Sequence, residues 1–569
     1  MTMQQFSVWL HAFPMLCLFL SIVLGHIIGR FHVRGVGFGA VVGTLIAAIS
    51  IGIVAKPEIP ELMRWAFFYL FLFSIGYGIG PQFFGSLKKA ALPQIALAVI
   101  VAIAGLAAVI GVTAVFSFDE GLAVGLLSGG MTQSAALGTG LNAISELSIT
   151  AESKATLMAN APLADAVTYL FGDLGLILFL TWLGPKIMRA DLKSEARELE
   201  RKLSGGKTDT QVWSGVQYSF RAYRIENASV TGSTLAALEE RYVEARMSVQ
   251  RVQRGNEVLK LDPNLGLKHG DLIALSARRM VFAKLEHDLG PEIDDPVLLS
   301  VPVKSVAIVV TEREVIGKTI GKLALDLRLR GVYLESLQRG TELMPHEAWT
   351  VVERGDILRI VGSEDAVERA ASYAGFVERD LSRTDLTFLA GGICAGILLG
   401  LLKVGTGFVI LGLGTSGSIL LIGLVAGWLR SRYPVFGAIP DSAQRLLMDI
   451  GLIVFIAAVG LQAGPHAVDA YNRSGGAYFA RIFVAGMIVT TVPLAVGAIL
   501  ARFVLKMTPL MILGGLAGAQ TCTPGLNALR EASDSNVGSL AYTVPYAIGN
   551  ILLTVGGPVV VAIVHAMRQ

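Results

Sequence analysis

Cysteine is scarce. The chain's 569 residues hold only Cys17, Cys394 and Cys522, each within an apolar stretch, which leaves no disulfide framework and predicts packed core thiols. The eight histidines are scattered without the short spacings of a metal centre. No Walker sequence is present to drive an ATP-dependent pump, and no nucleophile elbow marks a hydrolase. Gly412-x-Gly414-x-x-Gly417 fits a dinucleotide fingerprint only as a string, because it lies in a membrane-length apolar stretch with no soluble strand before it. Charged residues make up 16% and the net charge is +3 with no basic stripe, so nucleic acid has no foothold. The N-terminus lacks both the basic region and the small-residue cleavage site of a signal peptide, so residues 8–29 are expected to persist as a membrane span. Neither a cofactor nor an enzymatic activity is expected.

What the chain has instead is apolar length. Hydrophobic residues make up 53% and the mean hydropathy is +0.61. Several runs pass the roughly eighteen apolar residues that a membrane helix needs. The expected fold class is therefore a polytopic α-helical membrane protein. Its pattern occurs twice, around a charged insert at 186–385. Gly76-Tyr77-Gly78-Ile79-Gly80-Pro81 is echoed by Gly460-Leu461-Gln462-Ala463-Gly464-Pro465. Gly129-Gly130-Met131-Thr132-Gln133-Ser134 is echoed by Gly518-Ala519-Gln520-Thr521-Cys522-Thr523, and Phe31-x-Val33-x-Gly35-Val36-Gly37 by Phe408-x-Ile410-x-Gly412-Leu413-Gly414. The offsets are 384, 389 and 377 residues, in matching order. A duplicated membrane unit with Gly- and Thr-rich breaks inside apolar segments is the signature of a secondary transporter.

Spans are expected near 8–29, 35–55, 64–80, 92–116 and 163–184, and again near 386–402, 408–428, 446–464, 477–501 and 540–565. A broken or re-entrant element joins each half, at 121–144 and 509–529. The expected domains are an N-terminal repeat at 1–185, two soluble units at 205–290 and 291–375, and a C-terminal repeat at 386–569. Lys and Arg favour cytoplasmic loops. Arg30, Arg34, Lys88, Lys89, Lys186, Arg189 and Lys193 then go inside with Arg430, Arg432, Arg502 and Lys506, while Asp119 and Glu120 go outside. That scheme puts the N-terminus outside and makes the repeats inverted, provided 121–144 does not cross the bilayer; Lys56 and Arg64 oppose it. The insert is itself duplicated at a constant 85 residues: Val230-Thr231-Gly232-Ser233-Thr234-Leu235 with Val315-Ile316-Gly317-Lys318-Thr319-Ile320, Gln253-Arg254-Gly255 with Gln338-Arg339-Gly340, and Gly270-Asp271 with Gly355-Asp356. Alternating runs such as 299–310 read as strands, and the Gly-Asp pairs as tight turns. This is a tandem of small α/β units, placed by charge in the cytoplasm.

The broken segments are the first candidates for a binding site, because backbone freed in hydrocarbon needs a partner or a cavity. Half-helix N-termini suit a carboxylate. Thr132, Ser134, Thr521 and Thr523 add hydroxyls, and Gly129, Gly130 and Gly518 add adaptable backbone. Small residues also serve plain helix packing, but two such segments at matching positions favour binding. Pro524 breaks the second copy where the first has Ala135, so the first break must rest on Gly129, Gly130, Gly138 and Gly140. Asp165 and Asp173 lie in an apolar span, where a mid-bilayer carboxylate costs about 3 kcal/mol; Asp165 is a candidate for substrate or proton. Asn550 is the polar counterpart in the second half. His26 and Arg30 read as interfacial anchors, and Arg64 and Arg481 as snorkelling side chains.

The run from Phe71 to Phe84, the two Gly-x-x-Thr-x-Ser/Thr elements and the tandem insert resemble the aspartate–alanine exchanger family, with the insert similar to TrkA-C (RCK-C) regulatory modules. The resemblance spans nearly the whole chain. It implies a bacterial inner-membrane carrier, a homodimer, that exchanges L-aspartate or a related dicarboxylate electrogenically for L-alanine. It also implies a cytosolic small-molecule regulator on the modules. The competing readings are a cation/proton antiporter using Asp165, a channel gated by its RCK-type modules, and, more remotely, a receptor. No Thr-Val-Gly-Tyr-Gly filter supports the channel.

Overall fold

The computed structural model describes residues 10–569 except 31, 34–35, 38, 87–90, 204–217, 243–246, 279–280, 301–302, 340–341, 346, 378–383, 403, 406–409, 412–413, 434–436 and 438. Phe31, Arg34, Gly35, Lys88, Lys89, Gly340, Phe408, Gly412 and Leu413 of the sequence patterns thus lie outside the described residues. The chain divides into two compact units, Met1–Glu198 with Leu381–Gln569, and Leu199–Asp380.

The first unit is helical. Its first half runs α1 (Pro14–Gly29), α2 (Gly39–Ala55), α3 (Glu61–Ser86), α4 (Leu92–Phe116), the short pair α5 (Glu120–Gly130) and α6 (Ser134–Glu146), then α7 (Ala151–Leu178). Its second half runs α8 (Leu386–Gly400), α9 (Gly414–Arg432), α10 (Ser442–Arg473), α11 (Gly475–Phe503), the short pair α12 (Pro509–Ala519) and α13 (Thr523–Ser533), then α14 (Thr543–Arg568). Six of these helical stretches, among the described residues, are long and apolar enough to cross a membrane. Local chemistry sets the boundaries. Asp119 caps α5 by accepting from the Leu122 N–H at 2.8 Å, and Gly475, at φ 67° and ψ −174°, separates α10 from α11.

The echoed Gly-x-x-x-Gly-Pro elements are packing seams. Neither proline ends its helix: α3 runs on past Pro81 to Ser86, and α10 past Pro465. On α3, Gly76 and Gly80 face Gly423 and Gly427 of α9. A Cβ on Gly427 would fall 2.0 Å from the Tyr77 carbonyl oxygen, an approach open only to glycine. On α10, Gly460 and Gly464 face α2, where a Cβ on Gly52 would fall 2.3 Å from the Leu461 carbonyl oxygen. The third helix of each half thus packs on the second helix of the other. Polar bonds reinforce both seams. Arg430 Nη1 donates to Tyr77 Oη at 2.7 Å, and Arg64 Nη1 donates to Gln462 Oε1 at 2.7 Å. Arg64 is only 3% exposed, so it does not snorkel: Gln462 gives it a partner inside the protein and the exposed Glu61 a second. Arg481 is exposed, as is Cys394, whereas Cys17 and Cys522 are packed.

The second unit holds two five-stranded antiparallel sheets of identical order. The first contains β1 (Tyr218–Arg224), β2 (Ser248–Arg254), β3 (Glu257–Leu259), β4 (Leu272–Arg278) and β5 (Glu292–Ile293), in the order β3-β2-β4-β1-β5. The second contains β6 (Val303–Val310), β7 (Val332–Arg339), β8 (Glu342–Met344), β9 (Ile357–Ser363) and β10 (Gly375–Val377), in the order β8-β7-β9-β6-β10. The duplicated motifs each carry a local task. Thr234 and Thr319 cap the helices that follow them, accepting from the N–H groups of Ala237 and Lys322. The aspartates of the Gly-Asp pairs do more than close turns. Asp271 takes a forked pair of bonds from Arg254 at 2.8 and 2.8 Å, and Asp356 takes the same from Arg339. Burial opposes ionisation of Asp271, yet the Arg254 fork and the Lys268 N–H hold its carboxyl below the usual range.

Candidate functional site

The short helix pairs are hairpins, and packed neighbours fix their directions. Along α5, Gly121 lies against Leu157, Gly125 against Ala161 and Gly129 against Asp165 and Thr168, so α5 runs alongside α7 in the same direction. Along α6, Gln133 meets Asn550, Thr139 meets Thr554 and Gly140 meets Gly557, so α6 runs with α14. The far end of α14 returns to the start of α5, where His565 and Arg568 bond Glu120 at 2.8 and 2.9 Å. Hence α5 and α6 are antiparallel, and residues 120–146 fold back on themselves. In the second pair, Gly514 and Gly518 of α12 lie against Gly538 and Tyr542 at the approach to α14, and Ala519 lies against Gly549 within it. Cys522 and Gly525, at the start of α13, lie against Asp173 and Leu176 of α7. Leu513 meets Gly184 further along, so this pair also turns back. Each hairpin rests one arm on its own half's last helix and the other arm on the last helix of the other half.

The two tips meet. Thr132 Oγ1 donates to the Gln520 carbonyl, and Thr521 Oγ1 donates to the Thr132 carbonyl at 3.2 Å. Both threonines have left-handed backbone, φ 52° and 54°, which is unusual for a β-branched residue. Each closes the preceding half-helix in the same way: the Gln133 N–H bonds the Ser128 carbonyl at 2.8 Å, and the Cys522 N–H bonds the Ala517 carbonyl at 3.0 Å. The first break therefore rests on Thr132 and not on glycines. Gly129, Gly130 and Gly518 sit in the closing turns of α5 and α12. A side chain there would strike Thr168, Val489 and the Tyr542 carbonyl respectively. Gly138 and Gly140 pack on Phe68 and Val124. Pro524, in the first turn of α13, is exposed, and the matching break at Thr132 forms without a proline.

Polar groups converge on these tips. Thr523 Oγ1 lies 3.0 Å from Tyr542 Oη, and Asn550 Oδ1 accepts from Gln133 Nε2 at 3.0 Å. Thr490 of α11 donates to the Gly130 carbonyl at 2.8 Å and accepts from Gln520 Nε2 at 3.2 Å. Ser134 is buried beside Tyr169. On α7, Asp165, Tyr169 and Asp173 share one face at helical spacing, with Cys522 Sγ donating to Asp173 Oδ1 at 3.3 Å. Asp165 is 0% exposed. The Ser128 hydroxyl is beside it, but neither carboxylate oxygen makes a well-formed hydrogen bond among the described residues. The sequence reading overlooked Gln133, Gln520, Thr490, Tyr169 and Tyr542. A glutamine stands within both echoed motifs, and that repeated amide at membrane depth was the available signal. No group of three or more His, Cys, Asp or Glu capable of holding a metal occurs among the described residues.

Residues 17–185 and 388–562 match the family model described as a predicted permease membrane region, Asp-Al_Ex, and residues 306–375 match the TrkA-C domain. Over its full length the chain is 48% identical to an uncharacterized transporter of Bordetella bronchiseptica, which it covers completely. An uncharacterized transporter of Bradyrhizobium diazoefficiens is 37% identical over 90% of this chain and 99% of that one. One from Shewanella oneidensis is 34% identical over 99% of this chain and all of that one. No solved structure matches.

Proposed function

The chain belongs to the Asp-Al_Ex family of predicted permeases, the aspartate–alanine exchangers, and from that premise we propose that it is a secondary carrier exchanging an acidic amino acid or small dicarboxylate for a neutral amino acid. Aspartate against alanine is the pair to try first, and its exchange is electrogenic. The observation that carries the reading is the tip-to-tip meeting of the hairpins through Thr132 and Thr521. Unwound backbone, strained residues and hydroxyls at the junction of two matching halves form the kind of site where carriers hold solutes.

In this reading residues 1–185 and 386–569 are inverted repeats, and 205–290 and 291–375 are two TrkA-C-type domains on the cytoplasmic side of a bacterial inner membrane. The N-terminus lies outside, and the carrier works as a homodimer. The opposite running directions of α7 and α14 support the inversion: α5 follows α7 and opposes α14, so the hairpins approach each other from opposite sides. Thr132, Ser134, Thr521 and Thr523, with the first turns of α6 and α13, hold the substrate carboxylate. Asn550, Asp165 and Pro524 shape the rest, and Gly129, Gly130 and Gly518 let the tips close. Alternating access opens the junction to one side and then the other.

Counterflow in proteoliposomes tests this. Internal L-aspartate should drive uptake of labelled alanine and build a membrane potential, and alanine substitution at the four hydroxyl positions should weaken it. Intact exchange in all four variants would refute the assignment of the site. Asp165, buried with no well-formed hydrogen bond to its carboxylate among the described residues, gives one specific reason to weigh a cation/proton antiporter. That reading requires flux driven by a pH gradient without any amino acid, lost in Asp165→Asn.

A further inference from the structure

The two soluble modules share a fold but not a core. At the constant offset of 85 residues, Tyr223, Phe282, Leu285 and Leu289 of the first module become Ile308, Val367, Ala370 and Ala374 of the second. The register is secured by structure: Gly290 and Gly375 both end the helix in positive φ, packed against the carbonyls of Arg224 and Val309, themselves 85 apart. All four exchanges remove side-chain volume from the face where helix meets sheet. In the first module the large residues fill that space: Tyr223, Leu285 and Leu289 are fully buried in one apolar cluster. In the second, a cavity of about 70 Å³ remains, bounded by Ile308, Ala370 and Ala374 and closed at one side by Met247 of the first module. Interiors pack densely, and an apolar void is a site for an apolar guest because it stays dry.

Among the described residues, one charged group borders the void. Arg330 lines it and donates through Nη1 to Glu239 of the first module at 3.1 Å, while its buried Nη2 has no partner among the described residues. An idle guanidinium arm at the rim of an apolar cavity is matched by a carboxylate carrying a short branched tail. The arm takes the carboxylate and the void takes the tail. Because Arg330 also holds Glu239, and Met247 forms part of the wall, occupancy would bear on the contact between the modules.

We propose that the second module's core is a binding site for a short branched-chain carboxylate, built by the loss of side-chain volume that the first module retains. The site is independent of the transport reading, and its test reads binding alone. Full-length protein in nanodiscs is titrated with labelled 4-methylpentanoate, with 4-methylpentylamine and acetate as controls. Saturable binding of 4-methylpentanoate only is expected. Ala370→Leu with Ala374→Leu, which restores the first module's residues, should weaken it at least tenfold and raise the thermal midpoint of the ligand-free protein. Arg330→Met should weaken it at least tenfold while leaving xenon binding in the cavity, read by the shift of bound xenon resonance. If the double variant does not fold, Ala370→Val serves, with a smaller loss expected. No saturable binding to wild type, or binding unchanged in Arg330→Met and in the filled variants, would overturn the proposal.

Discussion

Thr132 can be tested by separating what its hydroxyl gives from what its backbone costs. A β-branched residue in the left-handed region is strained by about 1–2 kcal/mol. Against that, its Oγ1 donates to the Gln520 carbonyl inside the protein, where losing the bond costs about 1–3 kcal/mol because the acceptor is left unpaired. Thr132→Ala removes the bond and keeps most of the strain. Thr132→Gly removes both, so the relief offsets much of the loss. Thr132→Ser keeps the donor and sheds the branched methyl. The expected order of thermal midpoints in detergent is Ser at or above wild type, then Gly, then Ala. The same order should hold at Thr521, which has the same φ and donates to the Thr132 carbonyl. The double Ala variant should lose less than the sum of the singles, since Thr132 takes part in both bonds, as donor in one and acceptor in the other. An alanine variant as stable as wild type, or more stable than the glycine variant, would refute the claim that the tip bonds hold strained backbone in place.

Other outcomes follow from other parts of the molecule. Gly427→Val should abolish monodisperse protein on size exclusion, because its Cβ would lie 2.0 Å from the Tyr77 carbonyl, whereas Gly111→Ala, with nothing nearby, should be silent. Arg568→Ala should cost more than the ~1 kcal/mol of a surface ion pair, since Glu120 is 4% exposed; Glu120→Gln should cost less, which thermal midpoints of the two variants compare. Asp271 and Asp326 both have folded carboxyls held below the ordinary range, the latter by Arg328 first and Tyr373 after. Their stabilisation is complete above an unfolded value near 4 and is lost as pH falls through the lower folded value. Hydrogen-exchange protection of the modules, taken relative to the intrinsic rate at each pH, should therefore fall only in acid, less steeply in Asp271→Asn. Asp165→Asn should leave the fold intact, because the carboxylate forms no well-formed bond among the described residues whose loss would matter; a collapsed thermal midpoint would instead assign it a structural partner.

Much of this architecture could be read from spacing. The insert's constant offset is possible only if two copies fold alike, and the strand orders agree element for element. The hairpins too were foreseeable, since Gly-Thr-rich breaks at membrane depth cannot remain exposed to lipid. Contact partners, however, were beyond reach. Pattern alone cannot say that Gly76 and Gly80 meet Gly423 and Gly427, because a Gly-x-x-x-Gly seam looks the same whether it binds backbone or solute. Arg64 read as a snorkelling side chain because its partner Gln462 is almost 400 positions away. Sequence points to glycines for the first break because threonine seldom adopts left-handed backbone. The helix-closing Gln133 N–H bond to Ser128 and the tertiary bond to Gln520 together offset that conformation's strain.

The exchange of arms between the halves bears on how such a carrier could move. Each hairpin lies along both last helices, α5 and α13 on α7, α6 and α12 along α14 and its approach. Displacing α7 relative to α14 therefore shears both hairpins together, and both tip bonds cross that plane of shear. A tip held by one half alone could shift without the other. Here the Thr132 and Thr521 bonds link the same two tips, so in the proposed carrier a sliding of the helices would act on both together, as a two-state transition requires. Solute held at the tips would bias the same equilibrium by its differential affinity for the closed pair. Obligatory exchange then needs only that the empty junction be slow to interconvert, with no further gate between the halves.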